Sequence, residues 1–283
     1  MDMQDKIQLN NGVEMPLVGY GVFKVAPNEC ERCVRDALSV GYRMIDTAQF
    51  YANEHEVGKA IAESGIPREE IFLVTKVWLT NSGDRRAMES IEESLRKLRT
   101  EYVDLLLIHQ PYGDYYGTYR ALERSLAEGK TRAIGLSNFY DDRFLDLTQN
   151  FDLKPAINQL ETNVFSQQTS MRELMKETGT RIMAWGPMAQ GKNNFFNNEI
   201  LASIGEKYGK NASQVGLRFL TQQGIPVIPK STNIYRMAEN RDIFDFTLDE
   251  SEMSALRSMN LNDKGTRSYT DTEYARRIIA QVF

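Results

Sequence analysis

Three short apolar runs in the sequence each end on a group that can hold or move a proton. Residues 43–46 end on the carboxylate of Asp46, residues 71–76 on the ammonium of Lys76 and residues 103–109 on the imidazole of His109. A lysine at the end of a buried run needs a charge partner, which Asp46 can supply. Tyr51 follows the first run closely, in Phe50-Tyr51-Ala52-Asn53-Glu54. An ammonium beside a phenol favours the tyrosinate and draws the hydroxyl down from its ordinary value of about 10. Tyr51 is thereby a candidate proton donor, with His109 placed to hydrogen-bond a substrate oxygen. Taken singly, each residue has a plainer reading. Tyr51 is one of 13 tyrosines that pack somewhere, and a polar residue closing an apolar run often caps a helix. Their joint occurrence on consecutive runs carries the inference.

Such groups converge only if the runs are neighbouring strands with a shared end. Four further runs follow the same pattern: 132–138 ends on Ser137 and Asn138, 156–159 on Gln159, 181–185 on Trp185 and 225–230 on Lys230. With 17–20 as the first, eight strands are expected. Between them apolar residues recur at helical spacing: Met88, Ile91, Leu95 and Leu98; Leu122 and Leu126; Met171, Leu174 and Met175; Val215, Phe219 and Leu220; and Met253 and Leu256. Apolar strands alternating with helices predict a parallel sheet covered by helices, and eight such units predict a (β/α)8 barrel, whose active site lies at the C-terminal strand ends. The stretch 7–15, turning at Asn11-Gly12, predicts a β-hairpin capping the barrel bottom. No G-x-G-x-x-G stands at a strand–helix junction, which counts against a Rossmann domain. The 283 residues carry no linker or low-complexity tract, so one domain, 1–283, is expected.

With 34 Lys+Arg against 39 Asp+Glu the chain carries −5, which argues against nucleic acid or an anionic membrane surface as partner. The first residues lack a signal-peptide pattern and no apolar run approaches a membrane span, so the cytoplasm is the expected location. Cys30 and Cys33 form C-x-x-C, but with Val34, Ala37 and Leu38 they make the inward stripe of an amphipathic helix, and no further ligand stands at zinc spacing. A structural role is expected for both, and no metal. His55 belongs to a helix start facing solvent, which leaves His109 as the imidazole for chemistry.

The sequence resembles the aldo-keto reductases, in their microbial branch, from the hairpin to about Asn262. The resemblance rests on Gly41-Tyr42-Arg43-Met44-Ile45-Asp46-Thr47-Ala48 with Tyr51 and Asn53-Glu54 following, then Val74-Thr75-Lys76-Val77-Trp78, Asp104-Leu105-Leu106-Leu107-Ile108-His109, Gly135-Leu136-Ser137-Asn138-Phe139, Asn158-Gln159 and Ile228-Pro229-Lys230-Ser231, in order. It implies a catalytic tetrad of Asp46, Tyr51, Lys76 and His109 and an NADPH/NADP+ cofactor. Ser137, Asn138 and Gln159 would hold the nicotinamide carboxamide and Trp185 would stack on the ring, with Gly21, Val22, Phe23, Asp46, Gly186 and Pro187 bordering the dinucleotide. Most relatives have Tyr where this chain has Trp185, and continue Ser-Pro-Leu where it continues Gly186-Pro187-Met188; an indole offers the same flat face.

Residues 230–240 resemble the family's adenosine site. Lys230 and Arg236 supply cationic donors, Ser231 and Thr232 stand near the start of an extra helix after strand eight, and Glu239 and Asn240 would contact adenine. This favours NADPH over NADH. Trp78 and Tyr112, with Tyr51 and His109, would bound the substrate, and Tyr20 and Phe23 would add aromatic wall. The implied reaction is reduction of a small-molecule aldehyde or ketone by a monomer, the proton coming from Tyr51. Two other readings stay open: a nucleotide-binding regulatory barrel with little turnover, and a lyase using Lys76 as a Schiff-base amine. The tail from Asp263 onward follows no placed pattern. Arg276-Arg277 within it reads first as a solvated helix face, and otherwise as an attractor for an anionic substrate.

Overall fold

The computed structural model describes residues 5–261 and 271–281; residues 1–4, 262–270 and 282–283, which include parts of the N-terminus and tail considered above, lie outside the described residues. The predicted hairpin forms from β1 (Lys6–Gln8) and β2 (Glu14–Pro16), paired antiparallel with Ile7 opposite Met15. Seven strands then run parallel in chain order: β3 (Tyr20–Gly21), β4 (Met44–Asp46), β5 (Phe72–Val77), β6 (Val103–Ile108), β7 (Thr131–Ser137), β8 (Ile157–Glu161) and β9 (Arg181–Trp185).

The eighth predicted strand, 225–230, makes isolated parallel bridges, Val227 pairing with Ala184 on one side and with Val18 on the other. Pro226 and Pro229 have no N–H to give, so a regular ladder cannot form there. The segment still closes the sheet. The N–H of Val227 donates to Leu17 O, that of Gly19 to Val227 O and that of Ala184 to Pro226 O. The result is the expected eight-membered (β/α)8 barrel with one irregular stave.

Helices cover it: α1 (Pro27–Ser39), α2 (Glu54–Ala62), α3 (Asp84–Leu98), α4 (Tyr115–Ala127), α5 (Asp141–Asn150), α6 (Thr169–Lys176), α7 (Glu199–Tyr208), α8 (Ala212–Thr221), α9 (Ile234–Arg241), α10 (Glu250–Arg257) and α11 (Thr272–Ile279). The extra helix expected after strand eight is α9. On α1 the buried residues are Cys30, Cys33, Val34, Ala37 and Leu38, so the C-x-x-C is core, and His55 is largely exposed on α2. Helix α2, which follows Tyr51 directly, lies so close to α3 that a Cβ on Gly58 would fall 2.5 Å from the backbone of Leu98.

Strand side chains alternate between the barrel interior and the helices. The interior cluster contains Met44, Phe72, Val74, Leu105, Leu107, Ala133, Ile157, Met183 and Ile228, plugged from below by Leu9 and Met15 of the hairpin. Two residues further along each strand from the topmost of these stand Asp46, Lys76, His109, Gln159, Trp185 and Lys230, and two beyond Gly135 stands Ser137. The interior is therefore apolar at the bottom and polar at the C-terminal mouth.

Candidate active site

Lys76 is wholly buried, and burial pushes its ammonium below the usual lysine value, with Asp46 opposing that shift. Its Nζ donates to Asp46 Oδ1 at 2.6 Å, to Thr47 O at 2.9 Å and to Tyr51 Oη at 3.4 Å. The second oxygen of Asp46 accepts from Gln159 Nε2 at 2.8 Å, which fixes the carboxylate from the far side of the barrel. Tyr51 ends a one-turn 3-10 helix, Gln49–Tyr51, which Ala52 terminates in the left-handed region at φ 53°. The turn folds the phenol back over β5, with Lys76 Nζ 5.0 Å from the ring centroid.

His109 stands edge-on to three rings, at 5.6 Å from Tyr51, 5.0 Å from Trp78 and 6.2 Å from Phe50. Burial first, and the Lys76 charge second, hold its pKa well below the ordinary value. The imidazole is neutral at pH 7. Its Nδ1 is buried and has no hydrogen-bond partner among the described residues.

Asn138, at φ 65°, turns the chain at the end of β7, where Asn and Asp tolerate the left-handed region best. Its Nδ2 donates to His109 O and to Ser137 Oγ, each at 3.0 Å, and its Oδ1 accepts from Trp185 Nε1 at 2.9 Å. Ser137 Oγ donates to Gln159 O at 3.2 Å. Uncharged hydroxyl and amide groups thus gather against the indole of Trp185.

All of this opens on one cavity of about 940 Å³. Of the residues expected at a site, Gly21, Phe23, Asp46, Tyr51, Trp78, His109, Ser137, Asn138, Gln159, Trp185, Gly186, Pro187 and Lys230 line it. Lys76 reaches it through Asp46 and Tyr51. Val22 is buried in the core instead, and Tyr20 is buried with its hydroxyl donating to Ser231 O at 2.6 Å. Tyr112, expected on the substrate wall, does not line the cavity and packs against the cluster of Trp78, Tyr274 and Ile278.

Ser231, Thr232, Arg236, Glu239 and Asn240 lie beyond Lys230, along the turn into α9. There Asn233 Oδ1 caps the helix by accepting from the N–H groups of Tyr235 and Arg236. Arg236 is exposed, Glu239 accepts a long hydrogen bond from Asn211, and Asn240 is buried.

Sequence reasoning missed Lys24 after β3, Phe50, Gln110, the rim residues Met188, Gln190, Gly191 and Phe196, and above all Tyr274 and Ile278 of α11; Arg277 of that helix, read first as a solvated face and otherwise as an attractor for an anionic substrate, also lines the cavity. The i, i+4 spacing of Tyr274 and Ile278 was the available signal for that helix. Its apolar side covers Trp78, whose Nε1 donates to Gln281 O at 3.3 Å.

A carboxylate, an ammonium, a phenol and a neutral imidazole at a barrel mouth are acid–base machinery, and the fold and cavity together define a (β/α)8-barrel enzyme. The sequence pattern of the Aldo/keto reductase family matches residues 18–261, and the chain belongs to that family. It is 42% identical over 264 residues to a glyoxal reductase of Bacillus subtilis (strain 168), covering 93% of this chain and 95% of that protein. Among solved structures, an aldo-keto reductase from a Medee basin deep-sea metagenome library superposes with a TM-score of 0.91 at 40% identity, over 94% of this chain and 98% of the other. A Bombyx mori aldo-keto reductase in complex with NADP superposes with a TM-score of 0.88 at 32% identity, over 95% and 96%.

Proposed function

We propose that this chain is an NADPH-dependent carbonyl reductase in which Tyr51 protonates the substrate oxygen, His109 orients it, and Lys76 with Asp46 tunes and refills the phenol. Membership of the family makes it an oxidoreductase that reduces aldehydes or ketones with NADP(H). The observation that carries the residue roles is the buried Lys76 ammonium, shared between Asp46 at 2.6 Å and Tyr51 at 3.4 Å, behind a phenol whose ring abuts a neutral His109 in the cavity.

The donor set suits the cofactor. Neutral Ser137, Asn138 and Gln159 beside the Trp185 face match a carboxamide on a flat ring, and Lys230, Ser231, Thr232 and Arg236, with Glu239 and Asn240 for adenine, match a phosphorylated adenosine. Gly21, Phe23, Gly186 and Pro187 line the path between the two ends, Val22 supports it from the core, and Lys24 stands where phosphates would pass. The bound dinucleotide supplies the hydride that the carbonyl carbon receives.

The chain's own residues supply the rest. Tyr51 Oη gives its proton to the developing alkoxide, and the ammonium beside it stabilises the phenolate left behind. A lysine whose pKa is lowered by burial returns a proton to that phenolate more readily than an exposed one. His109, neutral, offers a hydrogen bond without adding a competing charge. Lys76 is unsuited to Schiff-base chemistry, because its amine is buried, charged and fully engaged. Nothing favours the regulatory-barrel reading.

Small aldehydes and α-dicarbonyls are the proposed substrates, supported by the aromatic walls of the cavity and by the similarity to a glyoxal reductase. NADPH oxidation with methylglyoxal, nitrobenzaldehyde, a diketo sugar acid and a steroid ketone tests this; no turnover on any of them would favour the regulatory barrel. We further propose a single domain, 1–283, acting as a monomer in the cytoplasm. Every group of the proposed machinery comes from one chain, and both cysteines are free buried thiols. Sedimentation of the active enzyme checks the monomer.

A further inference from the structure

We propose that Arg277 is a specificity residue for the carboxylate of the substrate, so that the enzyme favours aldehydes or ketones that also carry a carboxylate. The inference rests on the carbonyl-reduction reading of the same cavity. The charged residues lining the cavity are Lys24, Asp46, Lys230 and Arg277. Asp46 has both oxygens engaged, by Lys76 and by Gln159, so among the described residues lining the cavity no free carboxylate faces the three cations. In a chain of net charge −5 the mouth is cationic.

The cations divide by position. Lys24 and Lys230 stand on adjoining segments, since the N–H of Gly21 donates to Pro229 O, and both belong to the side assigned to the dinucleotide phosphates. Arg277 stands with the substrate walls. The ring of Trp78 lies 5.0 Å from that of His109 and packs in one cluster with Tyr274 and Ile278 of α11. The guanidinium of Arg277 sits 5.2 Å from the Tyr274 ring centroid, which restrains it, and among the described residues it forms no ion pair.

His109, Trp78, Tyr274 and Arg277 therefore make a wall that starts where the carbonyl oxygen is held and ends on a planar cation. A guanidinium meets a carboxylate with two parallel hydrogen bonds, which an ester cannot accept with the same charge. Arg276 and Arg277 are both exposed, but Arg276 does not line the cavity, so it serves as an internal control.

The test compares two rigid aldehydes, 4-carboxybenzaldehyde and methyl 4-formylbenzoate, each with NADPH, and reads the ratio of their kcat/KM values. Because both are measured on one preparation, the ratio is unaffected by any loss of folded enzyme. Arg277→Ala should lower the acid-to-ester ratio by about fivefold, chiefly through KM for the acid, in keeping with an ion pair at a partly solvated site. Arg277→Lys should recover part of the loss, and Arg276→Ala should leave the ratio at its wild-type value. A ratio within twofold of wild type in Arg277→Ala, or an equal drop in Arg276→Ala, overturns the proposal while leaving carbonyl reduction standing. Failure of the wild-type enzyme to reduce either aldehyde overturns the reductase reading, and this inference with it.

Discussion

Tyr51 is the tyrosine of the cavity lining whose hydroxyl accepts a hydrogen bond from the buried Lys76 ammonium, at 3.4 Å. Replacing it with Phe keeps the ring that contacts Phe23 and His109 and removes the hydroxyl, and with it the proton donor and the acceptor of the Lys76 hydrogen bond. Tyr51→Phe should therefore cut kcat/KM by roughly 10²–10⁴, while the NADPH affinity read by fluorescence titration stays near wild type; an unchanged kcat/KM would mean the proton comes from elsewhere. His109 carries a second, thermodynamic prediction. In the unfolded chain its imidazole takes up a proton near pH 6.5, whereas the folded pocket holds the pKa well below that. Between those two values the unfolded state binds more protons, so stability falls as pH drops below about 6.5, by up to about 1.4 kcal/mol per pH unit. The Tm of the wild type should fall more steeply from pH 7 to pH 5 than that of His109→Gln. Parallel slopes would show that the imidazole is not buried as a neutral group.

In the proposed cofactor site, the elements that would decide cofactor choice are the irregular eighth stave and α9. Lys230 leaves the stave exposed, and Arg236 occupies the first turn of a helix capped by Asn233. If they meet the 2′-phosphate as proposed, they discriminate it by charge-assisted hydrogen bonds worth about 1.5–3 kcal/mol each. Lys230→Ala and Arg236→Ala should each raise the Kd for NADPH by about tenfold or more and move the Kd for NADH by less than about twofold; equal losses would place the phosphate elsewhere. Much of this was legible. The strands could be read because apolar residues stop at one end of each run, and the same step from Val74 to Lys76, or from Leu107 to His109, marks both the barrel interior and the site. The stave at 225–230 was legible as a strand but not as an irregular one, since the effect of Pro226 and Pro229 depends on which neighbours need their missing N–H groups. Helix α11 was legible as part of the site only through the second reading of Arg276-Arg277, and the part of Tyr274 and Ile278 was not legible. Its apolar residues are few, and only packing on Trp78 shows which way they face. Tyr112, expected on the substrate wall, packs instead against the cluster of Trp78, Tyr274 and Ile278 and does not line the cavity, a placement that tertiary packing decides.

At the scale of the whole molecule, closure makes the fold one object. Residues near 18 and near 227 are hydrogen-bonded to each other, and 227 also pairs with 184, so the first and last staves cannot separate without opening the sheet. The apolar interior is continuous as well, because the hairpin residues Leu9 and Met15 join a cluster drawn from seven further segments. Such closure couples distant parts of the sequence and argues for cooperative loss of structure, although chains of this length often populate intermediates. The two tryptophans make the point testable. Trp78 and Trp185 both stand at the mouth, on opposite sides of the cavity, whereas far-UV circular dichroism reports helices all round the barrel. If the barrel is one domain, urea transitions followed by tryptophan fluorescence and by circular dichroism should share a midpoint, and the transition should shift upward as NADPH is added, by an amount that grows with its free concentration over Kd. A fluorescence midpoint well below that of circular dichroism would mean that the mouth, with α11 and the β5 and β9 ends, melts as a separate unit from the barrel floor. The tight tethering of Asp46 to Gln159 across the interior, at 2.8 Å, argues for the single transition, because it links the mouth directly to strands on both halves of the sheet.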